Sequence, residues 1–123
     1  MSKSDNKTKG NWGERMAVKH LKSRGYRILN TNYRAPLGEL DIVATPDERL
    51  LVFVEVKTRQ DNAYGAPCES ITYHKRRKIN QAAAQYMARF FMQDVSVRFD
   101  VIEVYLDGSV NHMEGAFDSY LRY

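Results

Sequence analysis

A single cysteine, Cys68, is all the chain has in 123 residues. That excludes an internal disulfide and any zinc site built from several cysteines, and it suits a reducing cytoplasm. With no histidine at a useful spacing, Cys68 reads as a small packed residue rather than a nucleophile. The three histidines, His20, His74 and His112, are scattered without metal-ligand spacing. No apolar run is long enough to span a bilayer and no signal-peptide core follows Met1, so a cytoplasmic protein without a membrane partner is expected. A Walker-type glycine loop, a dinucleotide fingerprint and internal repeats are also missing, which argues against nucleotide-binding and solenoid classes.

What is present suits one globular domain. The length supports a single core. A hydrophobic fraction of 43% and a charged fraction of 28% are ordinary for such a domain. The net charge of +4 fits a nucleic acid or another polyanion as partner. Residues 1–10, with Lys3, Lys7 and Lys9 among small polar residues, have the composition of a disordered basic tail. The domain proper is then residues 11–123.

The most informative stretch is residues 38–58, GELDIVATPDERLLVFVEVKT. It reads as two strands joined by a turn at Pro46-Asp47-Glu48. The second strand is apolar on both alternating sets, as expected of a strand buried on both faces, yet Glu55 and Lys57 close it with Val56 between them. Side chains two apart on a strand share a face, displaced by about 6–7 Å, and both of these are long enough to converge. If the hairpin pairs near its open end, Asp41 reaches the same point. Two buried carboxylates side by side are unfavourable unless a cation lies between them, and Mg²⁺ prefers carboxylate oxygens. Two readings follow: a metal site with a lysine beside it, or an ordinary ion pair with a solvated aspartate, which is nearly neutral in energy.

Around this stretch, residues 11–24 read as a helix with Met16, Ala17 and Leu21 as its apolar stripe and Gly25 as its stop. Asn11 and Glu14 match a capping box. Residues 26–34 follow as a strand, and residues 34–38 as a loop. Glu39, two before Asp41, stands as metal support, as a partner for Arg34 or as a solvated residue. Residues 59–70 have loop composition, with Arg59 as a phosphate-contact candidate and Tyr64 either stacking or packed. Residues 71–93 form the longest helix, with Ile79, Ala82, Ala83, Tyr86, Met87 and Phe90 toward the sheet. Its first turns carry Lys75, Arg76, Arg77 and Lys78. Cations there oppose the helix dipole, which favours phosphate binding as their purpose over a solvated face. Residues 95–106 form a strand in which Asp100 is set to pair near Arg98, and residues 110–117 a short edge strand after Asp107-Gly108. The order helix, three strands, helix, two strands implies an α/β fold with a mixed sheet flanked by helices.

Asp41 followed by Glu55-Val56-Lys57 after a hairpin resembles the PD-(D/E)XK pattern of the restriction-endonuclease-like nucleases. More closely, the chain resembles the YraN family, small proteins similar to archaeal-type Holliday-junction resolvases. The shared words are Gly13-Glu14 with Ala17, Asn32-Tyr33-Arg34, Gly38-Glu39-Leu40-Asp41 and Phe53-Val54-Glu55-Val56-Lys57-Thr58-Arg59. They continue with Gly65-Ala66-Pro67, Lys75, Ala82-Ala83 with Tyr86, and Arg98-Phe99-Asp100-Val101. The resemblance implies a restriction-endonuclease-like sheet and Mg²⁺- or Mn²⁺-dependent hydrolysis of DNA more than RNA, with branched or structured DNA as substrate and a symmetric homodimer as the acting form. Carried over, Asp41, Glu55, the Val56 carbonyl and Glu14 hold the metal. Lys57 orients the water or stabilises the transition-state charge. Arg34, Arg59, Lys75, Arg76 and Lys78 are the nucleic-acid contacts to expect. The alternatives are a nucleic-acid-binding module with the same fold but no turnover, and a protein-interaction adaptor.

Overall fold

The structure is a computed structural model that describes residues 2–59, 71–90 and 93–118, with side chains from residue 11 onward. Helix α1 (Ser2–Ser23) is followed by strands β1 (Arg27–Ala35), β2 (Gly38–Asp47) and β3 (Leu50–Arg59). Then come helix α2 (Tyr73–Arg89) and strands β4 (Ser96–Tyr105) and β5 (Val110–Phe117). The five strands form one sheet in chain order, β1-β2-β3-β4-β5. All neighbours are antiparallel except β3 and β4, which run parallel, Glu55 facing Val101 and Lys57 facing Glu103. A parallel pair needs a crossover, and α2 supplies it. This is the α/β, restriction-endonuclease-like architecture expected: a mixed sheet flanked by helices.

The helices cover opposite faces. On one, Ile79, Ala82, Ala83 and Tyr86 of α2 bury against Val43, Phe53 and Phe99. The Phe53 and Phe99 rings stack with centroids 5.5 Å apart, and Phe99 stacks in turn on Phe117 at 5.0 Å. On the other, Ala17 and Leu21 of α1 pack on Ile42, Val52, Val54, Ile102 and Val104. Both faces of β3 are therefore covered, the reason its two alternating sets are apolar. Each fully buried aliphatic or aromatic side chain contributes about 1.5–3 kcal/mol.

Local chemistry sets the element ends. Helix α2 starts at Thr72, whose hydroxyl accepts from the Lys75 amide at 3.2 Å. Helix α1 stops at Gly25, where the Tyr26 and Gly25 amides return to Leu21 and Lys22. It runs back to Ser2, through the stretch whose composition reads as a tail. Asn11 and Glu14 consequently lie inside the helix, and the capping-box reading does not hold; between Met1 and Ala35 there is no proline to stop the helix earlier. The β2–β3 turn sits later than expected. Pro46, which lacks an amide hydrogen, falls in a register irregularity between Ala44 and Asp47. The Thr45 hydroxyl donates to Leu50 O at 2.6 Å beyond it. Phe90, expected toward the sheet, is 44% exposed because α2 ends one residue before it.

Candidate active site

Strands β2 and β3 stay in register up to Ile42 and Val54 and then part. Asp41 sits at the fork. Its Oδ2 accepts the Val56 amide at 2.9 Å, so a side chain replaces a rung of the ladder and satisfies the freed donor. Glu55, 8% exposed at its side chain, hydrogen-bonds Asp41 and places Oε1 at 2.8 Å from Nζ of Lys75. Lys57, one strand repeat on, lies within the field of both carboxylates and beside the Lys75 ammonium, whose like charge opposes its own. Asp41, Glu55 and Lys57 thus face the same side, toward the N-terminal turns of α2. Asp41 and Glu55 open onto a cleft of about 310 Å³ also lined by Gly38, Glu39, Lys75 and Lys78. A Cβ on Gly38 would stand 2.9 Å from the Lys78 carbonyl oxygen, so a hydrogen at this position lets α2 close over the cleft.

Two lysines, Lys57 and Lys75, stand against two carboxyls at the site. Burial, and then the neighbouring Glu55, push the Asp41 carboxyl up to about 7, against the opposing Val56 amide. Near neutral pH the Asp41 carboxyl therefore still holds a proton in part of the molecules. Lys57 is pulled down by burial and by the Lys75 ammonium, with Glu55 and Asp41 opposing. Burial is the largest influence on Lys75 and lowers it, but the bond to Glu55 and the charges of Glu55 and Asp41 together outweigh it and leave Lys75 raised.

Glu14 belongs to a different surface. It lines a groove between α1 and β1, and reaches Asp41 only through the smallest of the influences on that carboxyl. Burial raises its pKa, a hydrogen bond from Asn32 partly offsets this, and its Oε1 is buried with no partner. The next residue back, Gly13, is where α1 closes on β3: a Cβ there would overlap the Thr58 hydroxyl. Among the described residues no three His, Cys, Asp or Glu side chains gather where one ion could lie.

The expected nucleic-acid contacts divide. Lys75 and Lys78 line the cleft. Arg59 turns away to Glu103, Nε to Oε2 at 2.8 Å, and Glu103 is 1% exposed. Arg34 pairs with Glu39 at 3.5 Å, both well exposed. Arg76 has a buried Nε without a hydrogen-bond partner. Tyr64 and Cys68 lie outside the described residues.

Two features were not read from the sequence. Asn32 adopts φ 52° and lies opposite Asp41 in the β1–β2 register, between the Thr31–Ile42 and Tyr33–Leu40 pairs. Asparagine tolerates this left-handed conformation, and it sits next to the site. The other is a buried network on the α1 face. Asp100, with no exposure, accepts from Arg98 at 2.8 Å through both oxygens, from the Gly115 amide at 3.0 Å and from His112 Nε2 at 2.8 Å. His112 Nδ1 lies 3.1 Å from His20 Nε2. An Arg-x-Asp pair on a strand hinted at the first contact; the histidines are 92 residues apart.

The donor set fits a hard divalent ion. Mg²⁺ is held by one or two carboxylates while keeping several waters, so a third protein carboxylate is unnecessary. Asp41, whose carboxyl is pushed up by burial and by Glu55, and Glu55 beside it are the groups such an ion would relieve.

A profile of the uncharacterised protein family UPF0102 matches residues 13–104, a span that holds Glu14, Asp41, Glu55, Lys57 and Lys75. The chain belongs to this family. Family UPF0102 is the YraN family that the sequence words resemble. A UPF0102 protein of Clostridioides difficile is 45% identical over 114 residues, covering 92% of this chain and 99% of its own. One of Alkaliphilus oremlandii is 48% identical over 117 residues, covering 91% and 99%. One of Pelobacter propionicus is 47% identical over 122 residues, covering 95% and 87%. The likeness to family UPF0102 therefore runs through the whole domain. No helix among the described residues is long and apolar enough to cross a membrane.

Proposed function

We propose that the chain is a metal-dependent nuclease that hydrolyses phosphodiester bonds in DNA, with branched or structured DNA as the substrate. The observation that carries this reading is the pair Asp41 and Glu55, hydrogen-bonded in a partly buried cleft with two lysines and with Asp41 pushed up to about 7. Acids perturbed by burial and a specific charge partner in a cleft are candidates for a functional site.

Asp41, Glu55 and the Val56 carbonyl would hold Mg²⁺ or Mn²⁺. Such an ion, when bound, neutralises charge on the scissile phosphate and lowers the pKa of a water. Lys57, weakened as an ammonium by burial and by Lys75, orients the attacking water and stabilises the charge that builds on the phosphoryl oxygens. Lys75 fixes the Glu55 carboxylate from α2. Glu14, from the other helix, adds negative field at Asp41.

Incubating the protein with branched and linear DNA, with Mn²⁺ or EDTA, tests the reading; no cleavage of any substrate under any metal refutes it. Lys57→Ala should abolish cutting while calorimetry still detects Mn²⁺ binding. Equal cutting in that variant removes Lys57 from the chemistry. The second reading, a binding module without turnover, draws on Lys75, which already compensates Glu55 without a metal. It predicts salt-sensitive DNA affinity that is indifferent to Mn²⁺ and to Lys57→Ala.

A further inference from the structure

The nuclease reading needs more phosphate contacts than the expected arginines supply, since Arg59 is committed to Glu103 and Arg34 to Glu39. Another basic row lies on α1. Arg15, Lys19 and Lys22 stand four and three residues apart, on one side of the helix, and all three line the groove of about 520 Å³ between α1 and β1. All three are exposed. Among the described residues none of them has an ion-pair partner. The opposite wall is Thr31 and Asn32 of β1, a hydroxyl and an amide that can donate to phosphate oxygens.

We propose that this groove is a phosphate track, which seats the backbone of the DNA strand as it leaves the Asp41 cleft. The proposal rests on the nuclease reading and extends it to a surface the motif does not include. Seven helical residues rise about 10 Å, and one strand of a duplex places a phosphate every 3.4 Å of axis, so the row spans about three phosphates. The groove lies on the α1 side of the sheet and the cleft on the α2 side, and Asn32 of the groove wall is opposite Asp41 in the register, so the strand would pass between them around the β1 edge. Glu14 lines the groove beside Arg15, and its field reaches Asp41. Unpaired cations facing a concave polar wall gain most from a partner that brings negative charge at a regular spacing, and a nucleic-acid backbone does so.

The test is fluorescence anisotropy with a labelled four-way DNA junction and a linear duplex of equal length, in EDTA, titrated with salt. Combining Arg15→Gln, Lys19→Gln and Lys22→Gln should reduce the slope of log K against log salt by about 2–3, close to 0.9 per lost phosphate contact, and weaken binding of the order of 10²-fold at 0.1 M salt. Each single change should remove about 0.9 from the slope, which keeps the test decisive if the triple variant folds poorly. The control combines Arg27→Gln, Arg49→Gln and Arg89→Gln, an equal charge change at the end of the sheet and of α2 remote from Asp41 and Lys75, and should keep the wild-type slope. A groove variant with the wild-type slope, or a control that loses as much as the groove variant, overturns the track. If the unaltered protein binds and cuts DNA in that case, the track alone falls; if it binds no DNA at all, the nuclease reading falls with it.

Discussion

Replacing Asp41 by asparagine should make the metal-free protein more stable at alkaline pH. The folded carboxyl titrates at about 7 against an ordinary 3.8. Between those values the folded state holds a proton that the unfolded state has released, so stability falls as pH rises through this window and levels off above about 7. Three pH units at 1.36 kcal/mol each set a ceiling of about 4 kcal/mol. The cleft is open to water, which screens part of that, so we expect about 2 kcal/mol at pH 8. For a domain of this size that is roughly 8 °C in Tm. Asparagine keeps the shape, can still accept from Val56 through Oδ1 and can donate to Glu55 through its amide. The assay is thermal unfolding followed by circular dichroism, in EDTA, at half-unit steps from pH 4.5 to 8.5. The two proteins should melt together at the acid end and diverge upward from there, with the variant the more stable. Millimolar Mn²⁺ at pH 8 should raise the wild-type Tm and leave the variant unmoved. Parallel melting profiles across the pH range refute the reasoning, since they mean that Asp41 ionises as easily folded as unfolded.

Three further outcomes follow from the packing. Gly13→Ala should cost about 1–3 kcal/mol by pushing α1 off Thr58, and in a Thr58→Ala background the same change should turn stabilising by about 0.5–1 kcal/mol, the gain of alanine over glycine inside a helix; chemical denaturation of the four proteins measures both. Asp100→Ala should cost about 3–5 kcal/mol, because it leaves Arg98 without its bidentate partner and strips His112 and the Gly115 amide of their acceptor, and urea midpoints report it. Lys75→Met should lower apo stability by no more than about 1 kcal/mol, as its side chain is 44% exposed, while reducing DNA cleavage far more; a stability loss without a loss of cleavage removes Lys75 from the site.

The strands were legible because both faces of β3 are covered, so its apolar run has a single explanation, and the alternation at Glu55 and Lys57 fixed their common side. The helix of residues 73–89 announced itself through Ile79, Ala82, Ala83 and Tyr86. The roles of individual charges were less legible. Arg59 follows the motif immediately, yet the parallel register sets it opposite Tyr105, within reach of Glu103, and that pairing depends on a crossover that spacing does not encode. Lys75 read as one of four basic residues in a row; only the packing of α2 on the sheet shows which one meets Glu55. Asn32 stood in the sequence only as part of a shared word, and nothing in its spacing announced the left-handed turn it takes within the strand. The start of the first helix was misplaced because Asn11 and Glu14 satisfy a capping pattern that the chain leaves unused.

The sheet repeats the order of the chain, and this bears on how the site is assembled. Residues 27–59 form a meander whose pairings are all local, and such contacts form early because they close short loops. The two acids and Lys57 are therefore brought together before Lys75, which bonds Glu55 and arrives only with the crossover helix. Until α2 docks, Glu55 lacks that partner, and a proton on the acids relieves the repulsion that Lys57 leaves uncompensated. Folding at pH 6 should then outpace folding at pH 8.5 in stopped-flow refolding, and Asp41→Asn should erase the difference; equal rates for the unaltered protein at the two pH values would show that α2 arrives first.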